Sequence, residues 1–100
     1  MYGTIARITV KPGSETHLAG LGEQYDQYRI PGHIATYVYR MDDNPSEYWL
    51  AVVFDSKESY RANAESPEQD ARYQDLRALL TGDPEWHDGE VVSSQVGGGA

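Results

Sequence analysis

Seven consecutive apolar residues, Tyr48-Trp-Leu-Ala-Val-Val-Phe54, run without a polar interruption through the middle of the chain. The run is far shorter than the roughly 20 apolar residues a membrane-crossing helix needs. Its length and its β-branched and aromatic content mark it as a strand, and a strand that is apolar at every position is normally covered on both faces. Alternation puts Tyr48, Leu50, Val52 and Phe54 on one side and Trp49, Ala51 and Val53 on the other. Any fold open to this chain must cover both sets.

The flanking segments supply the rest of an architecture. Tyr2–Val10 is rich in β-branched residues and stops at the turn signal Lys11-Pro12-Gly13, so a strand is predicted there. Ser14 follows as a helix cap, and Leu18, Leu21, Tyr25 and Tyr28 recur at helical spacing until Ile30-Pro31-Gly32 ends the pattern. A second strand, His33–Met41, is joined to the apolar run through Asp42-Asp43-Asn44-Pro45-Ser46, a hairpin connection. Ser56 opens a short helical piece reaching Ala64, and Ser66-Pro67-Glu68-Gln69 opens another: serine cap, proline in the first turn, glutamine three residues on. Tyr73, Leu76 and Leu80 form its inward stripe, with Gly82 beyond its end. The turn-rich stretch 83–89 then leads to a last strand expected at about Glu90–Gln95. The order strand, helix, strand, strand, helix, strand is that of an α+β, ferredoxin-like βαββαβ domain with an antiparallel sheet and its helices on one face. Residues 1–95 form the expected single domain, and 96–100 a flexible tail. Because helices on one face leave the other bare, the doubly apolar strand predicts a homodimer.

Charge and composition exclude several functions. Sixteen acidic against eight basic side chains give a net charge of −8, which opposes binding to nucleic acid. The absence of cysteine removes disulfides, thiol catalysis and cysteine-ligated metals together. No basic segment followed by an apolar run opens the chain, so a soluble, cytoplasmic protein away from membranes is the expectation. Three histidines, His17, His33 and His87, lie 16 and 54 residues apart, without the spacing that sets two imidazoles on one helix face for a metal. Gly20-Leu21-Gly22 lies inside a predicted helix and lacks a dinucleotide fingerprint; close helix packing accounts for these glycines better.

Tyrosine supplies eight of the eleven aromatic residues. Phenols at the edge of an apolar cleft suit a flat aromatic ligand that must be oriented, although tyrosines also close small cores with their hydroxyls in water. Tyr37, Tyr39, Tyr60, Asn63, Tyr73 and Trp86 are the candidate pocket residues. His87, between Trp86 and Asp88, together with Tyr73 and Asn63, is a candidate for catalysis. Adjacent strand residues face opposite ways, however, so His87 and Asp88 need not meet.

The segments Ala6-Arg-Ile-Thr-Val-Lys-Pro-Gly13, Phe54-Asp-Ser-Lys-Glu-Ser-Tyr60, Ala64-Glu-Ser-Pro-Glu68 and Pro84-Glu-Trp-His-Asp-Gly-Glu-Val91 resemble the antibiotic biosynthesis monooxygenase-like family. The resemblance spans roughly residues 2–92 and implies a dimeric α+β barrel. It further implies a cofactor-independent monooxygenase acting on a small aromatic or quinol-type metabolite, or a non-catalytic small-molecule binding or protective protein on the same scaffold. Haem-degrading members carry an asparagine on the first strand, a tryptophan early in the second helical region and a haem-ligating histidine ten residues later. Ala6, Asn63 and Tyr73 stand at those positions here, so neither haem nor another cofactor is expected.

Overall fold

The computed structural model describes residues 1–25 and 27–97. Its elements are β1 (Tyr2–Thr9), α1 (Glu15–Tyr25), β2 (His33–Arg40), β3 (Glu47–Phe54), α2 (Lys57–Ala64), α3 (Pro67–Arg77) and β4 (Glu85–Glu90). The strands make one antiparallel sheet in the order β2-β3-β1-β4. This is the α+β, ferredoxin-like arrangement, with the second helical region divided in two.

The serine caps predicted for α2 and α3 form as chemistry requires. Ser56 Oγ accepts from the Ser59 amide at the start of α2, and Ser66 Oγ accepts from the Gln69 amide at the start of α3, with Pro67 in its first turn. The Ser66 amide instead donates to the Asn63 carbonyl, which ties the two helices together. The β2–β3 hairpin closes through Asn44, whose carbonyl accepts from the Glu47 amide and whose side chain accepts from the Ser46 amide. Gly32 enters β2 with φ of 81°; a Cβ there would lie 2.5 Å from the Ser59 side chain.

Register fixes the two faces of the sheet. Thr4 is opposite Val52, Ala6 opposite Leu50 and Ile8 opposite Tyr48, all toward the helices. Trp86 and Asp88 join that face opposite Ala6 and Thr4. The packed core gathers at one end, where Ile8, Val10 and Tyr48 meet Leu76 and Leu80, with Leu18, Leu21 and Leu50 against them. The other face carries Ile5, Tyr37, Tyr39, Trp49, Ala51 and Val53; Ile5 is 55% exposed, Tyr37 61% and Tyr39 57%.

Three features depart from the sequence reading. The last strand lies at Glu85–Glu90, not Glu90–Gln95: the edge of β1 supplies ladder partners from Tyr2 opposite Glu90 to Arg7 opposite Glu85. Tertiary pairing there overrides the low strand propensity of Asp, Gly and Glu. Residues 91–97 have no regular structure; of the proposed tail, 96–97 are described and 98–100 lie outside the described residues. The first helix ends at Tyr25, and Tyr28 lies beyond it, its amide bonded to the Tyr25 carbonyl. Gly20 and Gly22 have nothing within 4 Å of a Cβ position, so close packing does not explain them.

Leu80 is 1% exposed and joins the helical end to Val10. Leu80→Ala should therefore cost about 2–5 kcal/mol in denaturant unfolding, and Ser66→Ala about 1 kcal/mol. An unchanged midpoint for Leu80→Ala would contradict the described core.

Candidate active site

The main core cluster fills one end of the sheet and Phe54 is buried at the other, and between them the helices leave an open groove of about 1610 Å³. Thr4, Leu50 and Val52 form its floor. Aromatic groups make three walls. The Tyr73 and Trp86 rings lie 6.3 Å apart on one side. Tyr60 packs edge-on against Phe54 at 5.6 Å and Tyr2 at 5.3 Å. Tyr25, the last residue of α1, and Tyr28 beyond it have their rings 5.8 Å apart.

Polar groups punctuate these walls. The Tyr60 hydroxyl donates to Asp88 Oδ1 at 2.9 Å. Burial first, then the hydrogen bond to Asp88 and its charge, push the Tyr60 phenol up to about 12, with a smaller opposing pull from Thr4. The Thr4 hydroxyl is itself buried and makes no hydrogen bond of acceptable geometry among the described residues. Arg72 donates from Nε to Gln69 Oε1 and from Nη2 to Asn63 Oδ1, each at 3.1 Å, and its guanidinium lies 4.9 Å over the Tyr28 ring. The Tyr25 hydroxyl donates to the Arg72 carbonyl at 3.1 Å, and burial is the main reason that the Tyr25 phenol is raised. With Oδ1 of Asn63 turned to Arg72, its Nδ2 group is left as a hydrogen-bond donor. His33 sits at the groove's edge, its Nε2 2.7 Å from Thr36 Oγ1 and its ring 5.5 Å from Phe54.

The sequence candidates divide between the two faces. Tyr60, Asn63, Tyr73 and Trp86 come together around the groove. Tyr37 lies along its edge strand, but pairs with Ala51 on the opposite face, and Tyr39 pairs there with Trp49. His87 also faces away: its Nε2 is 2.8 Å from Glu85 Oε1, and Glu85 is held by Arg7 at 2.7 Å. The hydrogen bond from His87, then those from Arg7, lower the Glu85 carboxyl. His87 and Asp88 are thus separated by the sheet, as strand alternation requires. Four groove groups were not singled out from sequence: Thr4, His33, Arg72 and Asp88. Asp88 alone carried a usable signal, its alternation with Trp86. Among the described residues, no three His, Asp or Glu side chains gather to hold a metal, and no helix is long and apolar enough to cross a membrane.

Comparison with known proteins identifies the family and the fold. The family model for antibiotic biosynthesis monooxygenases matches residues 1–74. An antibiotic biosynthesis monooxygenase-type protein from Chloroflexus aurantiacus superposes with a TM-score of 0.76 at 25% identity, covering 95% of this chain and 96% of that one. SnoaB from Streptomyces nogalater, a cofactor-independent oxygenase, gives 0.75 at 21% identity over 93% and 94%. A Nitrosomonas europaea protein of unknown function gives 0.76 at 19% over 98% and 95%. No curated protein matches the sequence.

The Tyr60 phenol's rise from an ordinary 10.0 to about 12 carries a stability signature. The folded state holds this proton longer than the unfolded chain, so the associated stabilisation is whole below pH 10 and disappears as pH rises through 12. Urea unfolding between pH 9 and 12 should show the wild type losing more stability than Tyr60→Phe. Parallel losses would contradict the Tyr60–Asp88 assignment.

Proposed function

The chain belongs to the antibiotic biosynthesis monooxygenase family, and from that premise we propose that it is a cofactor-independent monooxygenase acting on a small, electron-rich aromatic or quinol-type molecule bound in the groove. The observation that carries this reading is the joining of aromatic walls to a fixed amide donor: Tyr73 and Trp86 face the groove, and Arg72 holds Asn63 with its Nδ2 group free to donate. Aromatic walls orient a flat ring, while a preorganised donor favours the oxyanion formed when a phenol or enol loses its proton. His33, at the edge of the groove, is the imidazole placed to receive that proton. The substrate anion then supplies the electrons that reduce oxygen; one oxygen atom enters the product and the other leaves as water. The described residues provide orientation, burial and anion stabilisation for that step. SnoaB, described as a cofactor-independent oxygenase on this fold, lends the reading further support.

The opposite sheet face supports a homodimer. Ile5, Tyr37 and Tyr39 are more than half exposed there around Ala51 and Trp49, on the face that also carries Val53, an apolar patch of the kind that a second copy covers. The two faces then divide the work, one for assembly and one for chemistry.

Metal-stripped protein should consume oxygen with a member of a hydroquinone and anthrone panel. Asn63→Ala should lower kcat by about a hundredfold with little change in KM, the usual scale for losing one oxyanion donor. No uptake across the panel would contradict the enzyme reading. Sedimentation should find a dimer at micromolar concentration. Val53→Asp should shift it toward monomer while Val52→Asp, on the groove face, leaves it dimeric; a wild-type monomer would contradict the proposed interface.

A further inference from the structure

The groove differs in charge from the rest of the molecule. Four of the six arginines, Arg29, Arg40, Arg61 and Arg72, line it, against three of the fifteen carboxylates among the described residues, Glu15, Asp70 and Asp88. The groove is therefore one charge positive among its described residues, in a chain whose net charge is −8. Carboxylates elsewhere are screened beyond roughly 8 Å at physiological salt, so the local balance decides what a bound molecule meets.

Arg72 is the fixed member of this set. It is half-buried, yet its partners are neutral: the Gln69 and Asn63 side-chain oxygens and the Tyr28 ring face. No carboxylate stands within ion-pair distance of it among the described residues. The Nε proton and one Nη2 proton are engaged, so three of its five N–H donors remain. A guanidinium taken partly out of water without a counter-ion carries an electrostatic cost that a bound anion relieves. The amide oxygens, the Tyr28 ring and the Tyr25 hydroxyl on its carbonyl hold it in one place, so little ordering is required when the anion arrives.

We propose that Arg72 is a specificity residue that recognises an anionic substituent, a carboxylate, on the aromatic molecule bound in the groove. This rests on the oxygenase reading of the groove and narrows its substrate class to acidic aromatics. Arg72 also fixes the Asn63 amide, so seating the substituent places the adjoining ring beside the Asn63 donor. Specificity and positioning are joined in one side chain.

The test uses a matched pair, 1-hydroxy-2-naphthoate and 1-hydroxy-2-naphthamide, titrated into the full-length protein by calorimetry. The wild type should bind the carboxylate about tenfold more tightly than the amide, the scale of one charge-assisted contact, and the preference should shrink as salt rises from 50 to 300 mM. Arg72→Gln should abolish the preference while keeping affinity for the amide, and Arg77→Gln, which lies outside the groove and pairs with Asp83, should keep the preference. Thermal melts check that Arg72→Gln folds; if it does not, the salt dependence of the wild-type preference decides. Equal wild-type affinities, a preference insensitive to salt, or a preference surviving Arg72→Gln would overturn the anion assignment and leave the oxygenase reading standing. Failure to bind either compound, together with no oxygen uptake, would overturn both.

Discussion

β1 is paired on both sides, to β3 and to β4, and its inward residues Thr4, Ala6 and Ile8, with Val10 just past its end, are all buried. Strand alternation along this one element divides the molecule. Even-numbered positions of β1, β3 and β4 face the helices, and odd-numbered positions face the opposite side. A one-residue slip would exchange the two sets, turning Arg7, Glu85 and His87 toward the core and Ile8 and Tyr48 outward. The cost of desolvating that charge cluster without its present partners makes register a strong constraint.

The groove follows from where the helices stop filling the sheet. α1 and α3 are 11 residues each and α2 is 8. Packed apolar side chains gather at the end marked by Ile8, Val10 and Leu80, and α1 ends at Tyr25. Polar side chains rather than packed apolar ones then hold α2, α3 and the segment after α1 in relation to one another. Arg72 reaches Asn63 at the end of α2, Gln69 within α3 and the ring of Tyr28. Hydrogen bonds between half-buried groups resist distortion because each lost partner leaves a polar atom unsatisfied. The groove is thus built as an opening with fixed walls.

Much of this was legible in the residues. The β1, β2 and β3 segments, the hairpin and the serine caps of α2 and α3 are encoded locally, by alternation, turn formers and cap chemistry. β4 was not, because Glu85-Trp-His-Asp-Gly-Glu90 has turn composition and becomes a strand only against the free edge of β1. The same limit applies at the site. Tyr60, Tyr73, Asn63 and Trp86 came from helix faces and residue chemistry, whereas a tyrosine on β2 has no local mark telling the groove face from the outer one. Tyr37 and Tyr39 fall on the outer face through their pairing with β3. Arg72 was invisible for a different reason: an arginine on a helix usually faces water, and its role depends on Asn63, Gln69 and Tyr28 converging on it.

If the groove face of the sheet binds the ligand and the opposite face does not, the two tryptophans report the difference. Trp86 lies on the groove face and Trp49 on the opposite one. Titrating 1-hydroxy-2-naphthoate into uniformly 15N-labelled protein, while following the two indole N–H signals, reads both faces at once. The Trp86 signal should move progressively to saturation while the Trp49 signal stays in place. Movement of Trp49 with Trp86 unmoved would contradict this division of the faces.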